Sequence, residues 1–372
     1  MRILHVMSHW GWSSDAYWAA QVVSELERDG HEAILCCRPT SSQVMERARE
    51  AGVRRIGTLR LASGFNPSAD VPDLARLLTW LPQVDLIHVH RGKEHWLAAL
   101  ANRLCRTRRP LVRTRHIVQA VRPHAANRWL YRNATDLVTA ATHVIRRQYV
   151  ASGLLPAERV VTLAGGVDTT RFHPGVDGHE VRATLDIPSY EPLIGMVSGF
   201  RAMKGHAVVL EALARLAGEG IRPRILFAGQ GTHETAIRGA VIAARLQEQC
   251  RFTGFTPDLP KVMAALTIGL YAPLESDGMS RVIFEYLAMG CPLIASRVGV
   301  VPEILTDGRE ALLVPAGDPG ALAQAIRRLL EDPLLARRLG RAGRELAVEG
   351  YSASRVTGRL VSLYSGLLDA RT

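Results

Sequence analysis

The chain has 372 residues, 47% hydrophobic and 22% charged, with a formal net charge of +11, so it is expected to form a soluble globular protein. The length suits two domains of about 150 to 200 residues each, and no apolar run reaches the roughly 18 residues that a bilayer-spanning helix needs. Five scattered cysteines, two of them adjacent at Cys36 and Cys37, exclude a disulfide framework and zinc-ligand spacing, so we expect reduced thiols and a cytoplasmic location.

Short apolar runs alternate with helical patterns along the chain, as in parallel sheets covered by helices on both faces. The opening MRILHVMSHW is too short and too polar for a signal peptide and predicts a first buried strand. The first half predicts the strands RILHVMS, EAILCCR, DLIHVH, PLVRTRH, DLVTAA and RVVTLAGG. The second half predicts PLIGMVSG, PRILFAGQG, CRFTGF, IGLYAP, CPLIASRVG and ALLVPAGD. The fold class is therefore α/β, with two doubly wound, Rossmann-like domains.

The boundary between the domains is predicted near residues 172 to 182, where proline and glycine interrupt the pattern. The N-terminal domain then covers residues 1–172 and the C-terminal domain residues 178–352. The last segment, residues 353–372, predicts an amphipathic helix that packs back toward the N-terminal domain. Ligands of open parallel sheets bind beyond the carboxyl ends of the strands, so two such domains facing each other would line a central cleft with those ends.

Charge is distributed unevenly along the chain. Between His95 and Thr135 there is no Asp or Glu, while arginine occupies positions 103, 106, 108, 109, 113, 115, 122, 128 and 132. A solvated basic face is one interpretation of Arg103–Arg132, and an anionic partner such as a membrane surface or a phosphorylated acceptor is the other. Nucleic acid is the weakest candidate, because no aromatic residues are interleaved at stacking spacing and no nucleic-acid motif is present.

Two loops of the second half follow predicted strands and carry ligand-binding features. In VSGFRAMKGHAVVLEAL, Arg201 and Lys204 stand just before a helix that opens at Gly205, where unpaired N–H groups favour an anion. A basic surface loop without function is the alternative. In ILFAGQGTH, Gly229 and Gly231 follow a strand, but no third glycine completes a dinucleotide-binding fingerprint.

A third loop, in LESDGMSRVIFEYLAMGCPLIAS, places two acids around a helix start. Asp277 and Glu285 lie eight residues apart, Ser280 is a natural N-cap, and Gly290 ends the helix. We expect the N–H groups of Met279–Val282 to face the cleft and Glu285 to reach outward about one turn into the helix. Carboxylates repel phosphate but accept hydrogen bonds from sugar hydroxyls. The pattern therefore favours an anion flanked by hydroxyls, as in a nucleoside diphosphate sugar.

The segment resembles the S-E-G-F-G-x-x-x-x-E-A-M-A-x-G-x-P element of the GT-B glycosyltransferases of family four, in which Asp277-x7-Glu285 matches Glu-x7-Glu. Further motifs occur in the family's order. GGVDTTRFHPG resembles N-G-V-D-x-x-x-F-x-P, RDGHEAILCCR resembles x-x-G-H-E-V-x-V, and VGVVPEILTDGREALLVPAGDPGAL resembles the C-terminal signature. The resemblance covers nearly the whole chain and implies the GT-B fold and a retaining glycosyltransferase.

The resemblance also implies roles for single residues. Lys204 would contact the donor diphosphate, Glu285 the ribose hydroxyls, Asp277 the transferred sugar, and His116 in RTRHIV the sugar near its reacting carbon. A satisfied histidine after a strand is the alternative for His116. The catalytic candidates are His116, Lys204 and Asp277. The donor-binding candidates are Gly11, Arg201, Lys204, Gly229, Gly231, Asp277, Gly278, Met279, Ser280, Arg281, Val282 and Glu285.

Three positions depart from the family pattern. Gly199 stands where the family has an arginine, so we expect Arg201 to supply that charge from a shifted position. Asp277 is one methylene shorter than the family's glutamate, which would change the sugar contact. The usual G-G-x-E loop is here HWGWSSDAYW, which keeps Gly11 and adds three tryptophans, for an altered pocket or for packing.

The expected reaction is a metal-independent sugar transfer from a nucleoside diphosphate sugar, without a resident cofactor, to a glycan, glycolipid or phosphorylated acceptor. Synthesis of envelope polysaccharide, lipopolysaccharide or glycolipid, at the inner face of the cytoplasmic membrane, is the expected setting. Two alternatives remain open: a nucleotide-sugar epimerase or hydrolase of the same fold, and a non-catalytic partner subunit that binds nucleotide sugar.

Overall fold

The computed structural model describes residues 1–256, 258–276, 278 and 280–371. The chain divides into two compact units: unit 1 is Met1–Gly166 together with Ala353–Thr372, and unit 2 is Val167–Ser352. The division falls before the interval of residues 172 to 182, because Val167 pairs with Ser352 and donates its N–H to the carbonyl of Tyr351 at 3.0 Å. These contacts assign the start of the connecting segment to unit 2.

Unit 1 contains a seven-stranded parallel sheet of order β3-β2-β1-β4-β5-β6-β7. Its strands are β1 Arg2–Val6, β2 Glu32–Cys37, β3 Ile56–Thr58, β4 Leu86–Val89, β5 Leu111–Arg115, β6 Leu137–Ala140 and β7 Val160–Thr162. All residues of β4 and β6 are buried, as expected for strands covered on both faces. The three-residue β3 has no recognisable alternation, which explains why its pattern does not predict a strand.

The helices of unit 1 cover both faces of this sheet. They are α1 Ser14–Arg28, α2 Ser42–Glu50, α3 Pro67–Trp80, α4 Gly92–Leu104, α5 Ala125–Trp129 and α6 His143–Ala151. A short π-helical turn, Leu130–Ala134, follows α5.

Unit 2 contains a six-stranded parallel sheet of order β10-β9-β8-β11-β12-β13. Its strands are β8 Leu193–Val197, β9 Arg224–Ala228, β10 Cys250–Gly254, β11 Ile268–Tyr271, β12 Leu293–Ser296 and β13 Leu312–Val314. Its helices are α7 His179–Thr184, α8 His206–Gly218, α9 Glu234–Ala243, α10 Leu259–Ala264, α11 Arg281–Ala288, α12 Val301–Ile304, α13 Pro319–Glu331 and α14 Pro333–Gly350. A core of buried aliphatic and aromatic residues joins the sheet to α8 and α13.

The helical pattern of residues 319–347 is two helices in the structure. Pro333 lacks an N–H and occupies the first position of α14, so the ladder of α13 cannot continue through it. The Asp332 carboxylate accepts the N–H of Leu335 at 2.9 Å and caps the new helix.

The last helix, α15 Ala353–Asp369, belongs to unit 1 and packs against α1. Val356, Leu360 and Tyr364 are fully buried at successive turns of the helix. Unit 1 is therefore completed by the end of the chain, as the amphipathic pattern predicts. Among the described helices, none combines the length and the hydropathy that crossing a membrane requires.

Candidate functional site

The strand order of unit 2 reverses between β8 and β11, which are neighbours in the sheet although two other strands separate them in the chain sequence. In an open parallel sheet this switch point is where ligands bind, outside the carboxyl ends of the strands. The basic segment after β8 and the segment preceding α11 are therefore adjacent. They are also bonded to each other, because Leu274 donates its N–H to the carbonyl of Met203 at 2.8 Å.

The basic segment forms a tight 3₁₀ turn, Ala202–Lys204, directly before α8. Gly205 closes it with φ of +77°, and a Cβ at Gly205 would clash with the carbonyl oxygen of Ala272. This close approach brings the turn against the loop after β11. Lys204 is 6% exposed, whereas Arg201 is exposed.

Arg201 lies close to the position that the family's arginine would occupy. Its Nε is 3.8 Å from where a Cβ at Gly199 would stand, and that hypothetical Cβ has the carbonyl oxygen of Gln230 at 3.4 Å. The guanidinium of Arg201 thus reaches back over the glycine.

Gly229 and Gly231 have a structural reason to be glycine. A Cβ at Gly229, whose φ is +148°, would clash with the carbonyl oxygen of Ser198, and a Cβ at Gly231 would clash with the backbone of Phe200. Phe200 in turn donates its N–H to the carbonyl of Gln230 at 3.0 Å. The two glycines let the loops after β8 and β9 pack together, and they support the basic turn rather than complete a phosphate-binding fingerprint.

Helix α11 is fixed to the sheet by Tyr286, which is fully buried. The Tyr286 hydroxyl donates to the carbonyl of Gly195 at 3.0 Å and accepts the N–H of Val197 at 2.9 Å, so it joins α11 to β8. Gly269 of β11 leaves room for the ring, since a Cβ there would meet it at 2.7 Å. Ser280 occupies the N-cap position with extended backbone, and its side chain makes no cap hydrogen bond.

Glu285 does not reach outward, as the helical pattern suggested, but is buried at 1% exposure. Because Tyr286 fixes the rotation of α11, the neighbouring Glu285 is turned inward. Its Oε1 accepts the Nε of Arg281 at 2.7 Å, while Oε2 is buried without a hydrogen-bond partner among the described residues. Burial raises the pKa of Glu285, and the positive charges of Arg281 and Arg171 oppose that shift.

Gly278 is the described residue between two predicted donor contacts, Asp277 and Met279, which lie outside the described residues. Gly278 is buried, has φ of +92°, and donates its N–H to Ser276 Oγ at 3.2 Å. Among the sequence candidates, the structure joins the turn that carries Arg201 and Lys204 to the loop after β11, which leads into α11 and Glu285. Val282, in the first turn of that helix, is partly exposed.

Unit 1 has its own switch point between β1 and β4, and β5 is the next strand. His116, directly after β5, is 8% exposed and stacks on His90 with ring centroids 5.7 Å apart, while Trp18 lies edge-on at 5.4 Å. Its Nε2 faces His90 Nδ1 at 3.4 Å. Its Nδ1 is buried and has no hydrogen-bond partner within the described part of the chain.

The contact with His90 is the end of a longer buried chain of hydrogen bonds. His90 Nε2 meets His5 Nδ1 at 3.2 Å, and His5 Nε2 meets the Tyr364 hydroxyl at 3.4 Å. That hydroxyl also bonds His88 Nδ1, and His88 Nε2 meets Thr114 Oγ1 at 2.6 Å. Helix α15 is thereby linked through the imidazole rings of His5 and His90 to the predicted cleft histidine, and His88 branches from the same hydroxyl.

His116 is neutral at pH 7. Burial lowers its pKa to about 4, against the opposing charge of Asp15. Asp15, in the first turn of α1, accepts Arg91 Nε at 2.7 Å and is bonded by Ser13 Oγ. The pKa of Asp15 is lowered although the side chain is buried, and the charge of Arg91 and the hydrogen bonds from Arg91 and Ser13 contribute to that shift, so the carboxylate stays ionised. His116 can therefore donate or accept a hydrogen bond, but it does not supply a positive charge.

The tryptophans added to the N-terminal loop differ in role. Trp18 belongs to α1, is 1% exposed, and donates Nε1–H to the carbonyl of Gly165 at 3.1 Å, which is a packing role. Trp10 is 59% exposed and lies under the Arg38 guanidinium at 4.1 Å. Gly11, partly exposed, is held in a turn with His9, whose Nδ1 accepts its N–H at 3.1 Å.

Two buried charged residues of unit 1, Arg38 and Glu94, were not predicted from the sequence, and Arg113 of the basic stretch is also buried, at 2% exposure. Glu94, in the first turn of α4, accepts the N–H of Ser8 at 3.2 Å through Oε1, and burial raises its pKa against the charge of Arg113. Glu94 Oε2, and Nε and Nη1 of both Arg38 and Arg113, lack hydrogen-bond partners among the residues the structure describes. Arg38 and Glu94 both lie after a strand, and this position is the sequence feature that could have marked them as candidate ligand-binding residues.

Two family models match the chain in succession. The model described as Glycosyltransferase Family 4 matches residues 16–171, and the model described as Glycosyl transferases group 1 matches residues 178–346. Together they extend over most of both units.

Individual proteins are similar over much of the chain. N-acetyl-alpha-D-glucosaminyl L-malate synthase of Bacillus anthracis is 25% identical over 77% of this chain and 75% of its own. A GDP-mannose-dependent alpha-(1-6)-phosphatidylinositol monomannoside mannosyltransferase of Mycolicibacterium smegmatis is 29% identical over 64% of each. The structure of HepE of Anabaena in complex with UDP shares the fold, with a TM-score of 0.84 at 18% identity, covering 98% of this chain and 100% of the other.

Proposed function

Because the chain belongs to family four of the GT-B glycosyltransferases, we propose that it transfers a sugar from a nucleoside diphosphate sugar to an acceptor hydroxyl with retention of configuration. The observation that carries the proposal is the composite surface at the switch point of unit 2. There the turn with Arg201 and Lys204 is bonded to the loop that leads into α11 and Glu285.

The donor fits this surface by charge. Its diphosphate is held by Lys204, Arg201 and the N–H groups at the start of α11, and its ribose hydroxyls donate to the unpartnered Oε2 of Glu285. Arg281 keeps the other oxygen of Glu285 occupied and orients the carboxylate. The names of relatives, with GDP-mannose in one and bound UDP in another, support a nucleoside diphosphate donor and leave the base open.

Departure of the diphosphate is the step that these residues assist. As the bond between the anomeric carbon and the diphosphate oxygen breaks, negative charge grows on that oxygen, and preorganised donors stabilise it more than they stabilise the ground state. Fixed cations and N–H groups serve this purpose without a divalent metal. Activity should therefore persist in excess EDTA, and loss of activity with recovery on Mg²⁺ or Mn²⁺ would contradict metal independence.

Retention follows from attack on the face that the diphosphate leaves. The acceptor oxygen forms the new bond on that face and passes its proton to the departing diphosphate oxygen. By this route an alpha-linked donor gives an alpha product, and the names of two relatives specify alpha products. Neutral His116 is proposed to contact the transferred sugar by a hydrogen bond, and Asp277 is proposed to bind its hydroxyls.

The acceptor is proposed to bind unit 1, at the carboxyl ends of β1, β2 and β4. Arg38, with two unpartnered nitrogens, would hold a negative group of the acceptor, and Glu94 Oε2 would accept one of its hydroxyls. This chemistry suits a phosphorylated or lipid-linked glycan, and we propose a role in envelope polysaccharide, lipopolysaccharide or glycolipid synthesis at the cytoplasmic membrane.

The proposal is tested in two stages with the full chain. Isothermal calorimetry with UDP, GDP, ADP, CMP and their sugar derivatives should find one saturable nucleotide, and no binding to any of them would contradict the donor site. Turnover of the binding donor is then measured with and without phosphorylated and lipid-linked glycans, and the anomeric configuration of the product is read by NMR. Donor consumption that ignores the acceptor would favour the epimerase or hydrolase, and binding without turnover would favour a partner subunit.

A further inference from the structure

Helix α4 of unit 1 has a stripe of apolar side chains on its solvent-facing side. Trp96, Leu100 and Leu104 recur at every fourth position and are 37%, 44% and 59% exposed. The opposite side of the helix is buried in unit 1. Trp129, 36% exposed, stacks on Trp96 with ring centroids 5.9 Å apart and extends the stripe onto α5.

Unpaired arginines surround this stripe. Arg103 lies on α4 itself, Arg106 and Arg108 follow the helix, and Arg128 precedes Trp129; all four are exposed. None has an ion-pair partner in the part of the chain that the structure describes. Because the chain between His95 and Thr135 carries no acid, this part of the chain contributes only positive side-chain charge around the stripe.

A cavity of about 190 Å³ adjoins the stripe, with Arg103, Arg108 and Trp129 among its lining residues. Asp136 also lines it, but its Oδ1 is paired with Arg371 at 2.6 Å and its Oδ2 accepts the N–H of Leu111 at 2.7 Å. The charges of Arg103 and Arg108 are therefore left for a ligand, and a phosphate group suits them.

We propose that the stripe Trp96–Leu100–Leu104–Trp129, with Arg103, Arg106, Arg108 and Arg128, docks unit 1 onto an anionic phospholipid bilayer. Leucine and tryptophan side chains enter the boundary between head groups and acyl chains, and the arginines bind lipid phosphates, as in helices that lie in the plane of a membrane. A protein partner would need an acidic surface around an apolar one, whereas a bilayer offers both in one layer. The inference deepens the proposed function, since it gives a lipid-linked acceptor a route to unit 1.

The test uses the full chain and vesicles of phosphatidylcholine alone or mixed with phosphatidylglycerol, in flotation at low and high salt. We expect flotation with the mixed vesicles only, reduced by salt. The double variant Arg103→Gln, Arg108→Gln should weaken vesicle binding at least ten-fold, given about five-fold for each arginine near the surface. The double variant Leu100→Gln, Leu104→Gln should also weaken it, because it removes apolar side chains that enter the bilayer. Leu334→Gln with Arg338→Gln, which are both exposed on α14, is the control variant and should bind as the unchanged chain does.

Insertion is tested separately with brominated acyl chains, which quench tryptophan inside the bilayer. Quenching should be strong in the unchanged chain and largely lost in Trp96→Phe with Trp129→Phe. Persistent quenching would assign insertion to another tryptophan, such as exposed Trp10, and would overturn the proposal.

Three further results would overturn it: no flotation with anionic vesicles at low salt, equal losses in the α14 control, or vesicle binding that depends on the arginines but not on the leucines. The last would identify a purely electrostatic surface that any polyanion, including RNA, could occupy. Because no step requires sugar transfer, donor turnover in solution can fail or succeed independently of vesicle binding.

Discussion

Lys204 and Glu285 are charged side chains that the fold of unit 2 holds almost entirely out of solvent. Withdrawing charge from water costs free energy, so such residues persist where a partner or a ligand compensates them. Glu285 has half of that compensation in Arg281, and its second oxygen remains for a hydroxyl donor. At this scale the candidate donor site contains a buried carboxylate, Glu285, whose hydrogen bonding within the described residues is incomplete.

Replacing Lys204 with Ala should remove about 2–4 kcal/mol of transition-state stabilisation, as for loss of one preorganised donor, and should lower kcat/KM accordingly. Steady-state kinetics with the identified donor measure it, and a thermal unfolding scan confirms that the variant is folded. Lys261→Ala is the matched control, because Lys261 is a partly exposed lysine of unit 2 whose ion pairs, with Glu180 and Asp258, lie at the surface. Activity of Lys204→Ala within a few-fold of the control would refute the role.

Replacing Glu285 with Gln should weaken donor binding and change its pH dependence. Since burial raises the pKa of Glu285, the carboxylate takes up its proton at a pH above the ordinary value of 4.5 and stops accepting a second hydroxyl there. Binding of a nucleoside diphosphate sugar, followed by calorimetry, should therefore weaken as the pH falls through that window. The glutamine variant should bind weakly at neutral pH and lack this dependence; parallel pH profiles would count against the ribose contact.

The same raised pKa has a consequence for stability. The folded state binds a proton at Glu285 more readily than the unfolded state does, so this residue's contribution to the free energy of unfolding grows as the pH falls toward 4.5 and is lost as the pH rises through the folded pKa.

At the scale of elements, the donor surface depends on how closely two loops approach. The turn before α8 and the loop after β11 touch through Gly205 and Ala272, and the same pair of loops is bonded between Met203 and Leu274. Helix α11 is held against β8 by Tyr286. These contacts position side chains that are far apart in sequence.

Gly205→Ala should destabilise unit 2 and impair donor binding, because alanine at a φ of +77° is strained by about 1–3 kcal/mol and its Cβ would clash with Ala272. Gly239→Ala is the control: Gly239 lies inside α9 with open space around it, so alanine there should stabilise by about 0.5–1 kcal/mol. Urea unfolding measures both variants. Equal stability of the two would mean that the turn is not constrained as described.

The histidine chain should control the tautomer of His116. Each neutral imidazole has one N–H and one lone pair, so the direction of donation at one ring limits the next. Tyr364→Phe removes the hydroxyl that joins His88 to His5 and should alter the ¹⁵N shifts of the His116 ring, together with kcat more than KM. Tyr190→Phe, at an 86% exposed tyrosine, should change neither. Unchanged ¹⁵N shifts in Tyr364→Phe would show that the chain does not orient His116.

At the scale of the whole molecule, each unit contains a parallel sheet with its own switch point, and the end of the chain completes unit 1. Fully buried Tyr364, Val356 and Leu360 of α15 cover apolar surface of that unit. The proposed donor residues belong to unit 2, whereas the histidine chain, the buried Arg38 and Glu94 and the docking stripe belong to unit 1.

Ending the chain after Ser352 should therefore unfold unit 1 and spare unit 2. Without α15, apolar surface of α1 and the buried imidazoles of His5 and His88 would meet water, at a cost comparable with the stability of a domain. Limited proteolysis followed by mass spectrometry should find cleavage throughout residues 1–166 and protection of 167–352. Equal protection of both ranges would contradict this dependence.

Much of the fold could be predicted from the chain alone. Apolar runs alternating with helical periodicity predicted both sheets, since central parallel strands are buried on both faces and must be apolar throughout. The short strand Ile56–Thr58 was missed, because three residues carry no period.

The candidate site divides in the same way. Motif spacing is a local property of the chain, so Arg201, Lys204, Glu285 and His116 could be named as candidates from the sequence, and their roles stay predictions. The burial of Glu285, the reach of Arg201 over Gly199 and the link from Tyr364 to His88, 276 residues away, could not be predicted. The sequence by itself determined the elements and the chemistry carried at their ends, since periodicity and residue type act over a few positions. Only the tertiary structure decided which strand ends lie next to each other and which charged side chains are buried. Strand order and packing bring together residues that no local pattern connects.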